Sequence, residues 1–96
     1  MPKAYIVSRV TVTDPDAYAE YASRAPEAMR LYGARVLARG GAAETLEGEG
    51  RPRNVILEFD SMEAARAYWN SPEYQHARSF RKDAAAFDMI LVEGVA

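Results

Sequence analysis

The 96-residue chain has no cysteine, one histidine and one tryptophan. Without cysteine there is no disulfide framework and no thiolate nucleophile, a composition that suits a reducing cytoplasm. A lone histidine cannot furnish a zinc or copper ligand set, and no carboxylates stand at a spacing that completes one, so no metal is expected. GxGxxG, GxxxxGK[ST] and GxSxG are all missing, which removes the common nucleotide-phosphate loops and the acyl-transfer elbow. Neither sign of charge dominates, since 12 basic residues are mixed with 14 acidic ones. No nucleic-acid surface and no membrane-binding face is therefore indicated. The start MPKAYIVSRV lacks the apolar run of a signal segment, and no later stretch approaches a membrane span. The expectation is a cytoplasmic chain with a single domain over residues 1–96.

What is present alternates between strand and helix patterns. Tyr5–Val12 (YIVSRVTV) is β-branched and aromatic, with Ile6, Ser8, Val10 and Val12 on one face and Tyr5, Val7, Arg9 and Thr11 on the other. Asp14 is a cap, Pro15 suits the first helical position, and Tyr18, Ala22, Ala25, Met29 and Tyr32 follow as an apolar stripe. Pro26 inside that stripe predicts a kink, and Gly33 a stop. Ala34–Gly41 is a second strand, followed by a turn-rich segment with a short strand extension at Glu44–Glu47. Asn54–Phe59 is a third strand. Asp60 or Ser61 caps a second helix with Met62, Ala65, Tyr68 and Trp69 on its buried side. Ser71–Pro72–Glu73 restarts a third, short helix, and Phe87–Gly94 is the last strand.

This order predicts an α+β, ferredoxin-like βαββαβ fold, a four-stranded antiparallel sheet with its helices on one face. NVIL and MILV are apolar at consecutive positions, so both sheet faces need cover. Two main helices cover one face. A second copy packed sheet to sheet is the economical cover for the other, and a homodimer is expected.

VTDPDAYAEY, GARVLARGG, LEGEGRPRNVILEF and AYWNSPEYQ together resemble the DUF1330 family over nearly the whole chain. The resemblance implies a dimeric α+β barrel, two ferredoxin-like subunits packed sheet to sheet, and it supplies no established reaction. Members often carry Trp in an EG-x-W-x-P loop; Gly50 stands at that place here. Some dimeric α+β barrels hold haem through one histidine on the second-half helix, after a similar W…NS stretch. Matching the NS pairs puts that ligand at Arg78, about 200° of helical rotation from His76. Arginine cannot ligate iron, so no haem and no other cofactor is expected.

The stretch YWNSPEYQHAR gathers most of the candidates. Trp69 and Tyr74 are core residues or the wall of a small-molecule pocket, with Tyr18 and Asn70 as further ligand contacts. His76 is the one side chain that ordinarily titrates near neutral pH, and is either an exposed helix histidine or a proton carrier. Arg78, Arg81 and Lys82 share a helical face, which is either solvated or an anchor for an acidic ligand. Arg39, before Gly40–Gly41, is an ion-pair member or an anion contact. Glu58, flanked by apolar residues, is half of a structural Glu–Arg pair or a general base.

These residues lead to a homodimer that binds a small, partly aromatic or acidic metabolite between helices and sheet. As an enzyme it would perform cofactor-independent proton transfer or oxygenation, by analogy with related barrels. The alternatives are a non-catalytic ligand-binding or stress-response module, and a structural assembly protein with no cavity at all.

Overall fold

Each helix begins where the chain supplies a cap. In the computed structural model, which describes residues 2–96, α1 (Pro15–Leu31) starts at Asp14, whose carboxylate accepts from the Ala17 amide at 3.2 Å. Ser61 rather than Asp60 caps α2 (Met62–Asn70), its hydroxyl accepting from the Ala64 amide at 3.1 Å. Asp60 is drawn instead to Arg35, at 2.9 Å. Ser71 closes α2 and opens α3 (Pro72–Ser79): its hydroxyl donates to the Tyr68 carbonyl at 2.7 Å and accepts from the Tyr74 amide at 3.0 Å. α1 is continuous through Pro26, which lies on its exposed side. Gly33, at φ +74°, ends the run in the left-handed conformation that glycine adopts freely.

Four antiparallel strands form one sheet in the order β2-β3-β1-β4: β1 (Ala4–Val12), β2 (Arg35–Arg39), β3 (Arg53–Phe59) and β4 (Ala85–Glu93). This is the α+β ferredoxin-like arrangement. β4 begins two residues earlier than its sequence pattern suggests, because β1 pairs along its whole length with it, out to Val12 opposite Ala85. Residues 44–47 form no strand. They lie beyond the end of β2, in a segment tied back by Arg9, which donates to the Glu49 carbonyl at 2.7 Å.

Register divides the side chains into two faces. Ala4, Ile6, Ser8 and Val10 of β1 stand beside Phe59, Leu57, Val55 and Arg53 of β3, and beside Leu91, Met89 and Phe87 of β4. The helices cover this face. The core runs through it, with Phe59, Tyr68 and Tyr74 fully buried and α1 adding Tyr21, Ala25 and Ala28. On the opposite face lie Val7, Ile56, Ile90 and Val92, and none of the described elements packs over them; Ile90 is 60% exposed. No described helix is long and apolar enough to cross a membrane.

Candidate functional site

Ser71 sets the site's geometry from a distance. By ending α2 and starting α3 within one residue, it brings the rings of Tyr68 and Tyr74 to 4.7 Å between centroids. Tyr74 then faces α1, and its hydroxyl lies 3.0 Å from that of Tyr21. Between these aromatics, α1 and the covered face of the sheet is a cavity of about 310 Å³. Ala22 and Ala25 leave room on the helix side, while Ser8, Val55 and Leu57 form the sheet side.

Two cations flank the cavity at the β2–β3 side. Arg53 donates from Nε to the Tyr18 hydroxyl at 3.0 Å and lies over that ring at 5.6 Å. Its guanidinium also lies against Gly40, where a Cβ would collide with it. Arg39 reaches the same cavity because β2 carries a bulge. Val36 pairs with Leu57, but Ala38 then pairs with Ile56 and Arg39 with Val55. Strict alternation from Arg35, which faces Glu58 on the open face, would have put Arg39 on the open face too. No carboxylate lines the cavity, and neither arginine forms an ion pair among the described residues.

A third cation lies behind the aromatic wall at the β4 side. After Ser79 the chain turns, with Asp83 at φ +64°, and the Ala84 carbonyl accepts from the amides of Thr13 and Asp14 at 2.8 and 2.9 Å. This turn folds Arg81 into the core, 9% exposed. Its guanidinium stacks on Phe87 at 3.7 Å and stands 5.1 Å from the centre of the Tyr21 ring. Nη2 donates to the Tyr74 hydroxyl at 3.4 Å and to Met89 Sδ at 3.5 Å, while Nε is buried without a partner. Burial first, and then the neighbouring Tyr74, push the Tyr21 phenol well above the usual tyrosine range. Tyr68 is raised for the same leading reason.

Of the residues singled out from the sequence, Tyr18, Arg39 and Tyr74 come together at this cavity. Trp69 packs on Tyr74 at 5.5 Å but lines a separate apolar hollow of about 180 Å³ with Ile6, Arg66 and Leu91. Arg78 is exposed and lies over the Trp69 ring at 4.9 Å. Asn70 is exposed at the end of α2. His76 is also exposed, edge-on to Phe80 at 5.2 Å. Glu58 belongs to the open face, where Arg35 bonds it at 2.7 Å and the Tyr5 hydroxyl donates to it at 3.0 Å. These two partners, Arg35 foremost, hold its carboxyl below the usual range, and Glu58 in turn raises the Tyr5 phenol. The structure thus makes Glu58 half of a Glu–Arg pair.

Arg78, Arg81 and Lys82 do not share one helical face. α3 stops at Ser79, so Arg81 is carried inward while Arg78 and Lys82 stay outside. Sequence reasoning also missed Tyr21, Tyr68 and Arg53 as cavity residues. For Tyr21 a signal existed: Tyr21, Ala25 and Ala28 repeat at helical spacing and share Ala25 with the stripe that starts at Tyr18.

The model of one protein family, described as a domain of unknown function (DUF1330), matches residues 3–95. No curated protein matches the chain. Among solved structures it is similar to RPA0582 of Rhodopseudomonas palustris, a protein of unknown function (22% identity, TM-score 0.74, covering 99% of this chain and 84% of that one). SnoaB of Streptomyces nogalater, described as a cofactor-independent oxygenase, has 11% identity and a TM-score of 0.67, with 100% and 96% of the two chains covered. A dimeric ferredoxin-like protein of unknown function from Jannaschia sp. CCS1 has 15% identity and a TM-score of 0.65, with 95% and 98% covered.

Proposed function

The chain belongs to the DUF1330 family, and from that premise we propose that it is a homodimeric binding protein whose subunits each take a small aromatic anion into the cavity between α1 and the sheet. One observation carries this reading: five aromatic rings and two arginines with no ion pair among the described residues line the cavity, and no carboxylate does. Apolar walls with a few polar groups are the usual composition of a small-molecule site. A volume of about 310 Å³ suits a molecule of one or two rings. Arg39 and Arg53 would hold its carboxylate by charge-assisted bonds, with Tyr18 orienting Arg53.

Dimerisation is supported by the uncovered apolar centre formed by Val7, Ile56, Ile90 and Val92, and by the dimeric description of a similar structure. Charged pairs border that centre: Arg35–Glu58 at one end and Arg51–Asp88, at 2.7 Å, at the other. Such a surface has the apolar core and polar rim of a protein interface.

The geometry favours binding over reaction. SnoaB is described as an oxygenase, but at 11% identity it speaks for the fold alone. His76 and Glu58, the candidates for proton transfer, stand outside the cavity.

The test is a thermal-shift and titration series with benzoate, naphthoate and their neutral amides. The acids are expected to raise Tm, a hundredfold excess over Kd adding about 2.7 kcal/mol of stability, and the amides to bind at least about tenfold more weakly. Arg39→Gln and Arg53→Gln should each weaken acid binding while leaving the unliganded Tm near that of the parent. Equal binding of acids and amides would overturn the reading.

A further inference from the structure

A guanidinium can only donate hydrogen bonds, so the hydroxyl chain that Arg81 touches has a direction. Arg81 Nη2 lies 3.4 Å from the Tyr74 oxygen, which therefore receives. Tyr74 then has its own proton to give, and two acceptors stand within reach: the Tyr21 oxygen at 3.0 Å and Met89 Sδ at 3.8 Å. A thioether is a weak acceptor, so the stronger of the two bonds is the one given to Tyr21. The Tyr21 oxygen is thereby occupied as an acceptor, and its O–H is left with no further partner among the described residues. Tyr21 lines the cavity. Its phenol, held well above the usual range by burial, stays protonated and remains a donor.

The strand order separates the arginines of the cavity from the groups around Arg81. Arg39 belongs to β2 at one edge of the sheet and Arg53 to β3 beside it, whereas Met89 and Phe87, which contact Arg81, belong to β4 at the other edge. The two edges are three strand spacings apart, about 14 Å, and long side chains reach inward from both. A ligand spanning them meets cations at one end and a directed O–H at the other.

We propose that Tyr21 determines the specificity of the cavity by donating its O–H to an acceptor oxygen on the ring of a bound aromatic acid whose carboxylate sits at Arg39 and Arg53. This rests on the ligand-binding reading above and narrows its ligand class to aromatic acids with a carbonyl or phenolate oxygen opposite the carboxylate. Arg81 and Tyr74 are positioning residues in this arrangement. They fill the acceptor side of Tyr21 and so turn its proton towards the ligand.

The experiment is calorimetric titration of the full chain with benzoate, 4-formylbenzoate, whose added oxygen can only accept, and 4-aminobenzoate, whose added group chiefly donates. 4-Formylbenzoate is expected to bind about five- to tenfold more tightly than benzoate, the worth of one neutral hydrogen bond. Tyr21→Phe, which keeps the ring, should erase that gain and leave benzoate affinity nearly unchanged. Because the gain is a ratio within one variant, a change in stability does not alter it. Tyr74→Phe provides a second check: it should shrink the gain, and full retention overturns the directed chain. A preference for 4-aminobenzoate over 4-formylbenzoate also overturns it, since the hydroxyls would then point the other way. Benzoate binding with no gain from the formyl oxygen overturns the role of Tyr21 alone. Failure of every aromatic acid to bind overturns the ligand class, and the role of Tyr21 with it.

Discussion

The two faces of the sheet use arginine and tyrosine in opposite ways. On the open face three such groups have an acid, Arg35 with Glu58 at 2.7 Å, Arg51 with Asp88 at 2.7 Å, and Tyr5 donating to Glu58 at 3.0 Å, while Arg9 donates to the Glu49 carbonyl. On the covered face Arg39, Arg53 and Arg81 pair with no carboxylate among the described residues, and Tyr21 and Tyr74 bond each other instead. Exposed ion pairs contribute little to stability and fit the rim of an interface. Arg81, buried among aromatic rings without an anion, is a different case, because only ring faces and hydrogen bonds offset its desolvation, whereas Arg53 is half-buried and Arg39 exposed. What distinguishes the binding face is therefore the missing acid, not the arginine.

This contrast can be broken in several places. The largest effect is expected on the covered face: Phe59→Ala removes a fully buried ring that packs on Tyr68 at 5.3 Å. Urea unfolding should show a loss of about 3–5 kcal/mol, and a loss below about 1 kcal/mol would mean that the core lies elsewhere. The open face should respond differently. Ile90→Lys puts an unpaired charge at the centre of the proposed dimer and should weaken it by about a hundredfold or more, without unfolding the subunit. Sedimentation equilibrium checks this, and a variant that keeps the parent's dimer affinity removes that face from the interface.

Smaller effects sharpen the contrast. Ser71→Ala should reduce stability by about 0.5–2 kcal/mol, because its hydroxyl caps the helix that carries Tyr74 onto the covered face. The smallest concerns the open-face pair. The Glu58 carboxyl is held below its ordinary value of 4.5 by Arg35 and then Tyr5. A carboxyl depressed on folding contributes stability above its unfolded value and loses it as pH falls through the folded one. The parent should therefore lose stability on acidification below about pH 4.5, and Glu58→Gln should lose less over that interval. Urea midpoints at about pH 6 and about pH 3 compare them, and identical losses would remove the pair from the acid response.

Much of the fold was legible because its signals are local. Asp14, Ser61 and Ser71 cap helices through bonds to amides three residues on, so the sequence marks those positions without tertiary information. The consecutive apolar residues of β3 and β4 revealed two faces in need of cover, and the register distributes them accordingly. Tyr18, Arg39 and Tyr74 were also within reach, as an aromatic at helical spacing, a strand-end cation and a residue just after a helix restart.

The rest of the site depended on long-range geometry. The sequence by itself determined the element order, the caps and the alternation of sheet faces, because these follow from contacts between near neighbours and from the periods of helix and strand. Tertiary structure alone decided three things. The bulge in β2 moved Arg39 from the face of Arg35 to the cavity, since one extra residue reverses every later side chain of a strand. The turn at Asp83 carried Arg81 into the core although its neighbours Arg78 and Lys82 stay in water. The packing of α3 on α1 joined the hydroxyls of Tyr21 and Tyr74 across 53 residues of chain. Each depends on where distant segments meet, and a local pattern carries no record of that.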